Sequence, residues 1–202
     1  DVRWEHRSEV DPDAIHVRIA DFGSSIRPKK GDLVQPYGHT LEYRPPELIF
    51  GEKRVTPAVD IWSMGCIVWD MVHGNHLFSP RNSRAYGGGR RSTDISSETS
   101  MHTNHEHLAL MVEVLGPFPR TIGLRGRGDF FNARGQLKGL GGENIPRVHM
   151  RDLLENERSY DEETSKSIEN FLLPMFRYNP RVRATARQMT GASFLLRTED
   201  PR

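Results

Sequence analysis

The strongest constraint on the fold lies between Thr56-Pro57 and Gly74. Thr followed by Pro is a helix start, and Ile61, Met64, Gly65, Val68, Met71 and Val72 recur at helical spacing until Gly74 stops the run. Trp62, Cys66, Ile67 and Trp69 make the opposite side apolar as well. A helix with apolar residues on all sides has to be central and buried, so the spacing predicts a mostly helical body wrapped around residues 56–74. The apolar run 61–72 is interrupted by Asp70 and falls short of the roughly 20 residues that a bilayer span needs, so a core helix is expected and not a membrane segment.

Other elements follow from period and punctuation. Residues 16–20, His-Val-Arg-Ile-Ala, alternate like a strand and run into Asp21-Phe22-Gly23. Residues 24–43 are polar and broken by Pro28, Gly31, Pro36 and Gly38, which predicts an extended surface loop ended by Pro45-Pro46. Residues 79–104, rich in Ser, Gly and Arg, read as a mobile insertion. A second helix is expected over 105–115, stopped by Gly116-Pro117, and an irregular glycine-rich surface loop over 118–150. Asp161 starts a third helix with Glu162 and Glu163 in its first turn, and a last one is expected from about Thr185 to Leu196.

Composition narrows the function classes. Lys and Arg number 28 against 27 Asp and Glu, so no global field favours nucleic acid or an anionic membrane surface. The single cysteine, Cys66, rules out a disulfide framework and suits a reducing compartment. The expectation is an intracellular chain, cytoplasmic or nuclear, with no membrane or direct nucleic-acid partner and monomeric. It opens on Asp1 without a signal-like segment, which reads as a truncation.

Chemistry enters through order and spacing. Asp21-Phe22-Gly23 alone is a weak signal. Glu47 follows 26 residues later in Tyr43-Arg44-Pro45-Pro46-Glu47, then Asp60-Ile61-Trp62-Ser63-Met64-Gly65-Cys66 opens the central helix, and Asn179-Pro180-Arg181-Val182-Arg183-Ala184-Thr185 comes late. This succession resembles the signature set of eukaryotic protein kinases: a metal-binding Asp-Phe-Gly, an activation segment closed by Ala-Pro-Glu, the central helix, and a late arginine. Within that family, Tyr43-Arg44 and His107-Leu108-Ala109-Leu110-Met111 look like the group of cyclin-dependent, mitogen-activated, CDC-like and SR-protein kinases. Asp129-Phe130-Phe131, Gly135-Gln136-Leu137-Lys138 and Phe171-Leu172-Leu173-Pro174-Met175 most resemble SR-protein kinases.

The resemblance implies a mainly α carboxy-terminal kinase lobe, with short β segments near its start, spanning 1–202 as part of a two-lobe α+β domain. The catalytic-loop remnant and activation segment would occupy 1–47, the central helix 56–74, the insertion 79–104 and the helical subdomain 105–198. It implies a serine/threonine kinase using ATP and Mg²⁺ on a protein substrate. Asp21, with Phe22 and Gly23, would hold Mg²⁺ against the ATP phosphates, since a hard carboxylate offsets their charge. Glu47 and Arg183 would form a buried ion pair. Thr40 would hydrogen-bond the catalytic aspartate just before the substrate-binding loop, and Asp60 would cap the central helix or anchor the catalytic-loop backbone. Tyr37, ten residues before Glu47, holds the place of an activating tyrosine whose phosphate could pair with Arg44; an ordinary loop tyrosine is the alternative.

The run Asp1-Val2-Arg3-Trp4-Glu5-His6 resembles the catalytic Asp-Leu-Lys-Pro-Glu-Asn, which would make Asp1 the base and Arg3 the phosphate-contacting cation. Its alternative is a solvated tail. In the catalytic alignment His6 replaces the asparagine that binds a second Mg²⁺, and imidazole is a poorer ligand for that hard ion. This departure keeps open a degenerate paralogue acting as a binding scaffold. No glycine-rich loop, ATP-pairing lysine or glutamate partner occurs in these residues, so negligible turnover is expected from residues 1–202 alone. The region that would grip an arginine-rich substrate carries Arg120, Arg125, Arg127, Arg134, Lys138, Arg147 and Arg151, and like charges oppose such docking unless Asp129, Glu143 and Glu113 cluster.

Overall fold

A computed structural model describes residues 16–27, 39–52, 56–80, 97–124, 128, 130–138 and 145–196. Among the described residues eight helices follow in order: α1 Pro46–Ile49, α2 Ala58–His73, α3 Ser97–Leu115, α4 Arg120–Gly123, α5 Met150–Arg158, α6 Glu162–Leu172, α7 Ala186–Thr190 and α8 Ser193–Leu196. Two 3-10 turns, Phe22–Ser24 and Leu41–Tyr43, precede them. The only strand-like pairing among the described residues is a single antiparallel bridge between Phe131 and Leu137.

The central helix is α2. Trp62, Cys66 and Trp69 are buried on it, and Gly74 closes it in the left-handed conformation, φ 81°, with its N–H on the Asp70 carbonyl. Glycine is suited to that position because it has no Cβ to clash. Around Trp62 the core is aromatic: Phe78 stacks on it at 5.7 Å, Phe176 meets it edge-on at 5.2 Å and Tyr178 lies 6.4 Å away. Gly65 lets Phe176 approach so closely that a Cβ there would sit 3.0 Å from the ring.

Helix α3 delivers Leu108, Ala109, Met111 and Val112 to the same core. Its carbonyl end is closed by Tyr178, whose hydroxyl lies 2.9 Å from the Met111 carbonyl and 2.7 Å from that of Gly116. Helices α5 and α6 form a hairpin that buries Leu154 against Ile168, Phe171 and Leu172. Asp161 caps α6, accepting from the Thr164 N–H at 2.8 Å, and the Tyr160 hydroxyl donates to the Val72 carbonyl at 3.2 Å, tying the hairpin to α2.

Several boundaries depart from the sequence reading. The expected strand over residues 16–20 pairs with nothing among the described residues, and Val17 and Ile19 are 87% and 84% exposed. Alternation specifies one apolar face, but a strand also needs a neighbour to bond, and none is paired with it among the described residues. Thus the short β segments expected near the start are not formed among the described residues. Helix α3 starts at Ser97, so the last part of the expected insertion 79–104 is helical; residues 81–96 lie outside the described residues. Helix α5 went unpredicted although Met150, Leu153 and Leu154 share one face, with Asp152 in the first turn and Arg158 in the last. The single helix expected near the end is two, α7 and α8, parted at Gly191, where helix propensity is lowest apart from proline.

Candidate functional site

Asp21 sits at φ 61°, ψ 59°, a left-handed conformation uncommon outside glycine, and turns the chain into Phe22–Ser24. Asp21, Phe22 and Gly23 are all exposed, Phe22 by 66%. A hard carboxylate standing in water on a sharp turn is free to enter a cation's coordination shell. Among the described residues no group of three or more His, Cys, Asp or Glu could hold a metal by itself. One carboxylate completed by phosphate oxygens and water is the arrangement Mg²⁺ takes, so the residues present fit that ion.

The second part of the site is the segment from His39 to Glu47. Thr40 is exposed, and its carbonyl accepts from the Tyr43 N–H at 3.2 Å, setting the turn Leu41–Tyr43. The turn is held on α2 by two bonds: the Ser63 hydroxyl donates to the Tyr43 carbonyl at 2.9 Å, and the Tyr43 hydroxyl donates to Asp70 Oδ2 at 2.8 Å. Burial, followed by the bond to Asp70, pushes the Tyr43 phenol up to about 12. The Arg44 guanidinium donates to the His39 carbonyl at 3.0 Å, folding the segment back on itself. Burial holds the His39 imidazole below its ordinary range, against an opposing pull from Asp60.

Glu47 and Arg183 meet in the interior. Arg183 Nη1 lies 2.7 Å from Glu47 Oε1 and Nη2 2.9 Å from Oε2, a bidentate pair with side chains 0% and 4% exposed. The guanidinium also donates to the carbonyls of Arg177, through Nε at 2.9 Å, and Ala58, at 2.8 Å, and lies 5.1 Å from the centre of the Trp62 ring. The local sequence places it: Asn179 Oδ1 accepts from the Arg181 N–H at 3.0 Å, and the Asn179 carbonyl accepts from the Arg183 N–H at 3.2 Å, an Asx-type turn. One charged pair therefore joins the end of the Tyr43–Glu47 segment, the start of α2 and the loop before α7.

Residues 10–195 match the protein kinase domain model. The chain belongs to that family. It is 36% identical over 175 residues to a serine/threonine-protein kinase SRPK of Physarum polycephalum, covering 85% of this chain and 36% of that protein. It is 30% identical over 192 residues to the protein kinase dsk1 of Schizosaccharomyces pombe, covering 93% and 31%. It is also 30% identical over 178 residues to the human SRSF protein kinase 3, covering 86% and 28%. The chain spans about a third of the length of these relatives.

Within this kinase chain, Asp60 stands exposed in the first turn of α2, and the N-cap residue Pro57 makes no side-chain cap bond. A carboxylate there still suits the positive end of the helix dipole. Asp1, Arg3, His6 and Tyr37 lie outside the described residues, as do Arg125, Arg127, Asp129 and Glu143. Of the basic residues expected to oppose arginine-rich peptides, Arg120, Arg134, Lys138 and Arg147 are exposed, while Arg151 is paired with Glu169 at 2.9 Å. Glu113 is partly buried, and that burial raises its carboxyl above the usual range.

Two features escaped the sequence reading. Asp70 was read only as an interruption of an apolar run, yet its carboxylate anchors Tyr43. His107 was read as part of a family motif, yet it is 0% exposed with neither ring nitrogen hydrogen-bonded. An aspartate four residues before Gly74, inside an otherwise apolar run, was the only available signal for the first; the second carried none.

Proposed function

We propose that the whole protein transfers the γ-phosphoryl group of ATP to Ser or Thr hydroxyls of protein substrates. The observation that carries the reading is the buried Glu47–Arg183 pair, made between motifs 136 residues apart within a chain that matches the kinase domain from 10 to 195. Phosphoryl transfer needs little covalent chemistry from a protein; it needs positioning and charge stabilisation. Glu47 and Arg183 fix the end of the activation segment to the core, Ser63 and Asp70 hold the turn Leu41–Tyr43 where substrate would lie, and Asp21 supplies the oxygen ligand. Mg²⁺ bound by Asp21 would offset the charge of the ATP phosphates. Asp1 would take the substrate hydroxyl proton, Arg3 would contact phosphate, and the exposed Thr40 hydroxyl is free to hydrogen-bond Asp1.

Residues 1–202 alone would turn over negligibly, since they contain no glycine-rich phosphate loop. The exposed Arg120, Arg134, Lys138 and Arg147 favour substrates that are not arginine-rich. Asp21→Ala in the full-length protein is expected to abolish ATP-dependent phosphorylation of Ser- and Thr-containing peptides. Full activity in that variant would overturn the mechanism.

A further inference from the structure

Three exposed arginines stand on a surface built from closely packed glycines. Helix α4 sets its Gly123 so near Gly135 that a Cβ at Gly123 would collide with the Gly135 carbonyl. Gly135 itself sits at φ 79°, and a Cβ there would lie 3.1 Å from the Arg120 carbonyl and 3.4 Å from Arg120 Cγ, so the Arg120 stem runs beside the residue that follows Arg134. Asn132 shapes that loop, its Oδ1 accepting from the N–H of Arg134 at 2.9 Å and of Gln136 at 3.0 Å. Arg147 lays its guanidinium on Gly116, where a Cβ would meet Cζ at 3.1 Å. Phe118, between Gly116 and Arg120, is buried and meets Phe50 and Phe131 edge-on at 5.6 and 5.4 Å, which fixes this surface to the core.

Among the described residues none of these three arginines makes an ion pair, whereas Arg151 and Arg183 are matched by Glu169 and Glu47. The Val148 N–H bonds the Glu113 carbonyl at 3.0 Å, which brings an acidic residue into the same region, but the Glu113 side chain is partly buried and pairs with no arginine. Leu124 stands exposed one turn after Arg120, its N–H on the Arg120 carbonyl at 2.9 Å. We propose that Arg120, Arg134 and Arg147 form a docking surface for a protein segment carrying phosphoserine or phosphothreonine, with Leu124 as its apolar contact. The proposal goes beyond the kinase reading and uses neither Asp21 nor the turn Leu41–Tyr43.

Charge complementarity selects the partner. A guanidinium fork matches phosphate oxygens two at a time, and a phosphorylated side chain carries about twice the charge of a carboxylate. An exposed cation with no carboxylate partner can take such a group without first giving up an internal pair. Nucleic acid fits this surface less well: Phe118, Phe130 and Phe131 are all buried, so none of them offers a ring on which a base could stack. Lys138, the neighbouring cation, already donates to the Gly128 carbonyl and is left out of the surface. Leu124 gives a reason for a peptide in place of a free anion, since only a peptide brings an apolar side chain along with its phosphate.

The test uses the full-length protein without ATP and a fluorescein-labelled peptide carrying one leucine and two phosphoserines, titrated by fluorescence anisotropy. This peptide should bind about tenfold or more tightly than the same peptide with serines, and more tightly than the same peptide with glutamates. Arg120→Gln, Arg134→Gln and Arg147→Gln should each weaken it about tenfold, as loss of a charge-assisted hydrogen bond implies, and the triple variant should bind it no better than the serine peptide. Arg187→Gln, at an exposed arginine on α7, should leave the affinity unchanged. Should the triple variant not fold, the three single variants decide. Equal binding of the phosphoserine peptide and either control peptide, an undiminished affinity in the triple variant, or an equal loss in Arg187→Gln overturns the proposal. So does displacement by orthophosphate at the peptide's own concentration, which would mark a site for the free anion, or tighter binding of a single-stranded RNA of equal charge. Because no phosphoryl transfer is measured, a failure here leaves the kinase reading to the Asp21→Ala experiment.

Discussion

His107 makes the stability of this chain fall in mild acid by an amount that can be worked out. It is 0% exposed, sits 6.0 Å from the Phe78 ring, and has no hydrogen-bond partner at either nitrogen. Burial first, and then the Arg44 charge, push its imidazole down to about 3. The group is a base whose folded value is depressed, so the folded chain stays neutral while the unfolded chain binds a proton below its ordinary value of about 6.5. The unfolded state therefore holds more protons, and stability falls as pH falls through the window from about 6.5 down to about 3. Between pH 7 and pH 5 the unfolded imidazole is protonated through about 1.5 units, at about 1.4 kcal/mol each, so the loss is about 2 kcal/mol. A folded value anywhere below 4 leaves that figure nearly unchanged, because the unfolded state dominates over this range. The assay is urea unfolding of wild type and His107→Leu at both pH values. Burial also depresses His39, His73 and His105, so the double difference between proteins and pH values isolates His107. The wild type should lose about 2 kcal/mol more than the variant between pH 7 and pH 5. Equal losses in the two proteins would refute the claim that this ring is buried neutral.

Glu47→Ala strands a guanidinium that is otherwise fully buried, and should cost about 3–5 kcal/mol in denaturant unfolding, whereas replacing both partners by Met should cost much less. Equal costs for the single and the double change would show that the pair is not desolvated. Tyr178→Phe leaves the buried carbonyls of Met111 and Gly116 without their hydroxyl donor and should cost about 1–3 kcal/mol, seen as a lower urea midpoint at constant slope.

The family and the course of the main helices were legible in the residues. The double-sided apolar run closed by Gly74 could only be a central helix, because a helix apolar all round has nowhere to go but the core. Asp161 ahead of Glu162 and Glu163 marked the start of α6, since a capping carboxylate and a favourable dipole charge are local effects. Motif order from Asp21 to Arg183 marked the family for the same reason: chemistry of this kind needs particular residues in a particular succession.

Contacts between distant segments were decided by the tertiary structure. Whether residues 16–20 pair as a strand depends on a neighbour that alternation cannot supply, and α7 and α8 part at Gly191 although the residues on either side are compatible with helix. The Tyr43–Asp70 contact joins the turn Leu41–Tyr43 to the last turn of α2, and no local pattern encodes such a meeting. His107 is the sharpest case. Its neighbours Leu108 and Met111 announce a buried helix face, but only the packing of Phe78 and α3 strips its ring of water and hydrogen bonds. Local propensity and periodicity are properties of a segment, while desolvation is a property of everything packed around it.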